Sequence, residues 1–260
     1  MANGKTDAFE LHGIKHLSPS SLRLYRDAPV IWVAKYMMNV ADEGGPGAWR
    51  GLAVETALDH LLYGESAEAA ITAMKDAWDR QAMGVADDKS MKEYAALESF
   101  LVQARTAFGD QPIPLMRQAR MQIALPGISV PLIGYADWVW PTYGRDLKTT
   151  WRIPSKPDAS HVEQVACYAM HFGVPFSLVY CSPSKWTTYE VSSDMQAEAW
   201  DRVIETAHAV RSMLERVRDG VDALSMFAPD YTDYHFSPPM AEAVKAAKAV
   251  RVLRQPNPGG

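Results

Sequence analysis

The amino-acid sequence predicts an α/β fold in which one sheet is flanked by helices. Three observations carry that prediction. Before residue 110 the apolar residues recur at helical spacing, in four or five segments that precede any strand. From Met116 the period drops to two over three consecutive segments joined by turns. One helical segment, two more strand segments and two further helical segments then follow, the order expected when helices cover a sheet.

Residues 1–16 are expected to be loosely ordered. "SPSSLRLY" (18–25) supplies a serine-rich helix start, with Ser18 or Ser20 as the candidate N-cap. Pro29 begins a second helix, "PVIWVAKYMM", and "NVADEGGPG" (39–47) reads as a loop. "AWRGLAVETALDHLLY" (48–63) is a helix stopped by Gly64, and "SAEAAITAMKDAWDRQAM" (66–83) and "MKEYAALESFLVQARTAF" (91–108) are two more. "MRQARMQIAL" (116–125) alternates, Pro126-Gly127 turns the chain, and "SVPLIGYADWVW" (129–140) alternates again. "RDLKTTW" (145–151) is the third strand. A helix over 160–173, strands over 176–182 and 185–191, and helices over 193–218 and 239–254 complete the pattern. Residues 255–260, "QPNPGG", read as a flexible tail.

A chain of 260 residues can bury a full core, and 48% hydrophobic with 22% charged residues is ordinary for a folded soluble protein. The net charge of −5 gives no global attraction to DNA or anionic membranes. Any polyanion site must then be a local basic groove, helped by metal ions. Cys167 and Cys181 are too few for a disulfide framework or a four-thiolate metal centre. The N-terminus has no apolar run of signal-peptide length and no segment reaches the length of a membrane span, so a cytoplasmic protein is expected.

The chemistry concentrates in "GYADWVWPTYGRDLKTTWR" (134–152), two strands around a Pro-Thr-Tyr-Gly turn. Asp146 and Lys148 are two apart on a strand, so they share one face while Leu147 takes the other. Asp137, across the short turn, comes within metal-bridging distance of Asp146. Facing carboxylates repel, and a hard divalent cation with oxygen ligands relieves that repulsion. Lys148 would orient or deprotonate a water, or neutralise charge developing at phosphorus. An acidic residue two before a lysine arises about once by chance at this composition. Asp87-Asp88-Lys89 has the same spacing, at the start of a helical segment with no paired strand. The competing reading of the trio is a solvent-facing salt-bridge ladder. In "SHVEQVACYAMH" (160–171), His161, Gln164, Tyr168 and His171 form one helical stripe, which either faces water or walls the same cleft. Glu55 in "RGLAVE" (50–55) is a third carboxylate, solvated on its own or completing a metal site.

Five segments in order, "SPSSLRLY", "RGLAVE", "GYAD" (134–137), "DLKTT" (146–150) and "QVACY" (164–168), resemble the PD-(D/E)XK nuclease superfamily. Within it they are similar to the RecB-like and phage recombination exonucleases. The resemblance implies a restriction-endonuclease-like core, a central mixed sheet flanked by helices, with an N-terminal helical elaboration and C-terminal helices. It implies one nuclease domain over 1–260, with a helical part at 17–110, the sheet core at 111–192 and helices at 193–254. The implied activity is metal-dependent DNA exonuclease hydrolysis, in phage-type recombination or end processing.

Carried over residue by residue, the resemblance implies that Asp137, Asp146 and the Leu147 backbone carbonyl bind Mg²⁺ or Mn²⁺. Lys148 would be the catalytic lysine, and Glu55 would join the metal site directly or through water. Gln164 and Tyr168 would position the lysine, the water or the DNA backbone. Arg50, Arg145 and Arg152 are the candidate DNA contacts. Some RecB-like nucleases carry an iron–sulfur cluster on late cysteines, but "FAPDYTDYHFSPP" (227–239) has none, so no cluster is expected. The interval from Asp137 to Asp146 is short for a RecB-type hairpin, which bears on the subfamily rather than the superfamily. The implied partners are DNA, a single-strand annealing protein and further copies of the chain, in a bacterial host cytoplasm and with no membrane. An endonuclease of the same fold and an inactive DNA-binding module are the alternatives.

Overall fold

The structure, a computed structural model, describes residues 7–41, 44–232 and 236–254. The expected helical half comprises α1 (Ala8–Leu11), α2 (Pro19–Asp27), α3 (Pro29–Met37), α4 (Pro46–Leu62), α5 (Ala67–Ala82), α6 (Asp88–Ala95) and α7 (Leu97–Phe108). The strands β1 (Met116–Ala124), β2 (Pro131–Val139) and β3 (Gly144–Thr149) follow. Then come α8 (Ala159–Phe172), β4 (Phe176–Cys181) and β5 (Trp186–Glu190). Helices α9 (Ser193–Leu214), α10 (Gly220–Leu224) and α11 (Pro238–Arg254) close the chain. Among the described residues no helix is long and apolar enough to cross a membrane.

Local chemistry explains most boundaries. Ser18 caps α2 in a reciprocal box: its Oγ accepts from Ser21 N at 3.0 Å, and Ser21 Oγ accepts from Ser18 N at 2.8 Å. Three expectations change. The stretch 1–16 is partly ordered, because Asp7 caps the short α1 and the fully buried Phe9 pins it. Residues 1–6, 42–43 of the loop and the tail 255–260 lie outside the described residues. The helix expected over 91–108 starts earlier and breaks at Ala96 into α6 and α7. Its apolar period (Leu97, Phe100, Leu101, Ala104, Phe108) belongs to α7 alone, whereas α6 buries Ser90 and Glu93, which hydrophobic periodicity does not see. At the C-terminal end α9 stops at Leu214 rather than 218, and α10 is additional.

The fold is the expected α/β arrangement, a mixed sheet flanked by helices, with strand order β1-β2-β3-β4-β5. Strands β2 and β3 are antiparallel, β3 and β4 parallel, and β4 and β5 antiparallel. The parallel step requires a crossover, which α8 supplies. Trp138, Trp140, Leu147 and Val179 of the sheet pack with Trp49, Leu58, Trp78, Phe100 and Phe108 of α4, α5 and α7 in one apolar cluster. Seating Leu147 there turns its neighbours Asp146 and Lys148 to the opposite face.

The residues group into two compact units. One draws on 1–42, 122–133 and 200–260. Within it Leu17 bridges the start of β2, donating its N–H to the Pro131 carbonyl at 2.9 Å and accepting from Ile133 N at 2.8 Å. The other draws on 43–121 and 134–199 and contains every candidate site residue.

Gly144 opens β3 opposite Phe176 in the parallel register, and a Cβ at this position would collide with the buried Phe176 ring. Gly144→Ala is therefore expected to destabilise the protein by about 1–3 kcal/mol through overpacking. In thermal unfolding that is a fall of about 3–10 °C.

Candidate active site

The β2–β3 ladder pairs Val139 with Gly144 and Trp138 with Arg145. The paired residues end there, with Asp137 and Asp146 next along the two strands. At this level the Leu147 N–H donates to Asp137 Oδ2 at 2.9 Å, so a carboxylate occupies the place of a ladder carbonyl. Asp137 is 8% exposed and Asp146 0%. Burial first, then the charges of Asp146 and Glu55, pushes the Asp137 carboxyl well above the usual carboxylate range. Burial likewise raises Asp146, against the pull of Lys148.

Asp146 is the anomaly of the region. Its Oδ2 is paired with Lys148 Nζ at 2.7 Å, whereas among the described residues its Oδ1 has no hydrogen-bond partner. Buried polar atoms are almost always satisfied, and an orphaned carboxylate costs more than a neutral group. Two buried carboxylates with unfilled lone pairs form a donor set that fits a hard divalent cation.

Lys148, with 20% of its side chain exposed, is held from the other side. Its Nζ donates to Gln164 Oε1 at 2.9 Å, Gln164 Nε2 donates to Tyr168 Oη at 2.8 Å, and Tyr168 Oη donates to the Tyr135 carbonyl at 2.7 Å. Gln164 and Tyr168 are one turn apart on α8 and share a face. Asp158 starts that helix by accepting from Ser160 N at 2.9 Å. Each donor in the chain has one acceptor, so the lysine's direction is fixed. Burial would lower the Lys148 ammonium, but Asp146, Asp137 and Glu55 together outweigh it and hold the proton on above the ordinary range. Burial also raises the Tyr168 phenol, which stays neutral. His161, the next member of the stripe, has Nδ1 2.6 Å from Tyr180 Oη on β4.

Glu55 reaches the same region electrostatically. Burial, then Asp146 and Asp59, pushes its carboxyl up to about 7, opposed by Lys148 and Gln118. Its Oε1 accepts from Gln118 Nε2. Gln118 lies in β1 with φ 43°, a left-handed conformation that non-glycine residues seldom adopt. Among the described residues no three His, Cys, Asp or Glu side chains are gathered closely enough to hold an ion. The two aspartates form the pair, and Glu55 is turned to Gln118.

Two of the candidate DNA contacts are engaged within the protein. Arg50 is 6% exposed: it pairs with Glu93, donates to the Thr149 carbonyl at 3.0 Å, and lies over the Phe100 ring at 4.6 Å. Arg145 shares the face of Leu147, where its guanidinium lies 5.4 Å from the Phe108 ring and donates to the Ala107 carbonyl at 3.3 Å. Neither points to the aspartates. Arg152 is exposed. The decoy resolves as capping: Asp87 Oδ1 accepts from Ser90 N at 2.6 Å at the start of α6. Sequence reasoning missed Gln118, the Tyr135 carbonyl and Glu93. None carries a local signal, since each acts on a partner distant in sequence.

A buried carboxylate pair, a locked ammonium and a third carboxyl with a raised pKa can bind a cation and stabilise a new negative charge nearby. A family model of the PD-(D/E)XK nuclease superfamily matches residues 16–235. A solved structure described as "Crystal structure of SSO0001" aligns over 62% of this chain and 74% of that chain, at 17% identity and a TM-score of 0.32, too low to carry an argument. No curated protein matches.

Proposed function

Because this chain belongs to the PD-(D/E)XK nuclease superfamily, we propose that it is a divalent-metal-dependent DNA exonuclease of the recombination or end-processing type. The observation that carries the reading is Asp146: fully buried, ion-paired to Lys148 through Oδ2 and, among the described residues, with no hydrogen-bond partner at Oδ1. A ladder of surface salt bridges would be solvated, whereas these groups are buried against one another.

Asp137, Asp146 and the Leu147 carbonyl would hold Mg²⁺ or Mn²⁺, with Glu55 joining directly or through a water. The bound ion lowers the pKa of a coordinated water and offsets phosphoryl charge. The remaining work falls to the chain. Lys148 keeps its proton and commits two directions, to Asp146 and Gln164, so its third N–H would meet a phosphoryl oxygen as charge develops. Gln164 and Tyr168 position that ammonium and do not touch the reacting atoms. Glu55, where it joins through a water, would be placed to accept a proton from that water. A single-strand annealing protein and further copies of the chain remain the proposed partners.

End-labelled linear duplex DNA and closed circular DNA, each incubated with Mg²⁺ and with EDTA, test the proposal. Loss of the linear substrate alone, and only with Mg²⁺, is the expected result. Nicking of the circle would make the protein an endonuclease. DNA binding without cleavage of either would make it an inactive binding module.

A further inference from the structure

Trp151 lies three residues beyond Lys148, and 42% of it is exposed. A lone surface aromatic needs no explanation, but this one is mounted with unusual rigidity. Its Nε1–H donates to Glu93 Oε1 at 2.8 Å. Glu93 is itself 6% exposed and ion-paired to the buried Arg50. Arg50 returns to the strand end through Thr149, donating to its Oγ1 at 3.2 Å and its carbonyl at 3.0 Å. Phe100 meets the indole edge-on, with ring centroids 5.6 Å apart at 80°. A buried ion pair contributes little net stability, but it fixes geometry well. Here it fixes the polar edge of an indole whose ring stays in water.

Lys92, exposed on α6, holds its Nζ over a face of the same ring, 4.6 Å from its centre. An aromatic ring with a flexible cation over it can receive single-stranded nucleic acid if the ammonium moves off the ring: the base takes the face and the cation the adjoining phosphate. Three residues of chain span at most about 10 Å. With both side chains extended the bound grows to about 20 Å, so at a rise of about 3.4 Å per nucleotide the ring is within about six nucleotides of the bond that Lys148 would address. The net charge of −5 disfavours a grip made of phosphates alone, and stacking does not depend on charge.

We propose that Trp151 and Lys92 form a platform that stacks a base of the DNA strand entering or leaving the aspartate–lysine site, with Lys92 on the adjoining phosphate. The proposal rests on the nuclease reading above. It is tested by fluorescence anisotropy with a single-stranded oligonucleotide and its counterpart carrying about six abasic terminal nucleotides. The protein carries Lys148→Ala, so that the probes survive, and Mg²⁺ is present.

The base-bearing probe should bind about tenfold more tightly than the abasic one. Adding Trp151→Ala should erase that preference, and so should Trp151→Leu, which keeps bulk against Phe100 if the alanine variant fails to fold. Trp151→Phe should retain part of it. Lys92→Ala should keep the preference while reducing the salt dependence of binding by about one phosphate contact. Equal binding of the two probes, or a preference that survives both Trp151 replacements, overturns the platform. If the unmodified protein still degrades DNA in that case, only the platform falls. If it neither binds nor cleaves DNA, the nuclease reading falls with it.

Discussion

Replacing Lys148 by alanine should lower the rate of Mg²⁺-dependent DNA cleavage about 10³-fold, the usual cost of removing one preorganised donor to a developing negative charge. Binding of DNA should change far less, because the ammonium is a single charge held mainly by protein groups. Its loss acts at two levels. The reacting phosphoryl loses a donor whose direction is fixed by Gln164 Oε1 at 2.9 Å. Asp146, fully buried, loses its counter-charge, and a buried charge left unpaired costs about 3–5 kcal/mol unless it takes up a proton. The variant should therefore unfold at a lower temperature at pH 8 and recover part of the difference at pH 5. Single-turnover rates measured where circular dichroism shows the protein folded would separate the two effects. A variant that cleaves at the rate of the parent would remove Lys148 from the chemistry.

Asp146→Asn should move activity and stability in opposite directions. Burial raises the Asp146 carboxyl even against the attraction of Lys148, so the folded protein binds its proton more tightly than the unfolded chain does. Glu55 behaves in the same sense, from an ordinary 4.5 to about 7. A group raised in this way contributes stability that is fully present below its unfolded pKa and is lost as pH rises through its folded value. The metal-free protein should thus lose stability as pH climbs, over about 4.5 to 7 for Glu55. An asparagine mimics the protonated acid at every pH. In EDTA at pH 8, Asp146→Asn removes a buried charge but leaves Lys148 without its counter-charge, so it should unfold at most about 2–4 °C higher than the parent, and the two should converge near pH 4. Added Mn²⁺ should raise the unfolding temperature of the parent by mass action and leave the variant unmoved. Cleavage should fall below detection. A variant less stable than the parent in EDTA would mean that the aspartate is structural.

Much of this site was legible in the sequence because its geometry is local. Alternation fixes Asp146 and Lys148 to one face, a short turn brings Asp137 alongside, and a spacing of four aligns Gln164 with Tyr168. The same alternation places Arg145 with Leu147 on the apolar side, so its packing there was readable too. Arg50 was not. Its burial depends on Glu93, forty-three positions away, and on a helix whose buried residues are polar. Hydrophobic periodicity registers neither. Gln118 was equally silent, because a left-handed residue inside a strand follows from how β1 bends and not from its side chain. The division of 91–108 into α6 and α7 escaped for the related reason that a continuous helical period does not mark a one-residue break.

The parallel pairing of β3 with β4 has a consequence for how the molecule comes to life. The antiparallel β2–β3 hairpin closes over a few residues and can form early, bringing Asp137 and Asp146 together with little loop-closure entropy. Gly144↔Phe176 and the pairs beyond it must wait until α8 has been made and folded back, the slow kind of non-local contact. Until that crossover docks, Gln164 is not beside Lys148 and the ammonium has no fixed direction. A nascent chain emerging N-terminus first would then carry its acidic pair before it carries an aligned lysine. On the proposed function, competence to cut would come only once α8 and β4 have docked on β3.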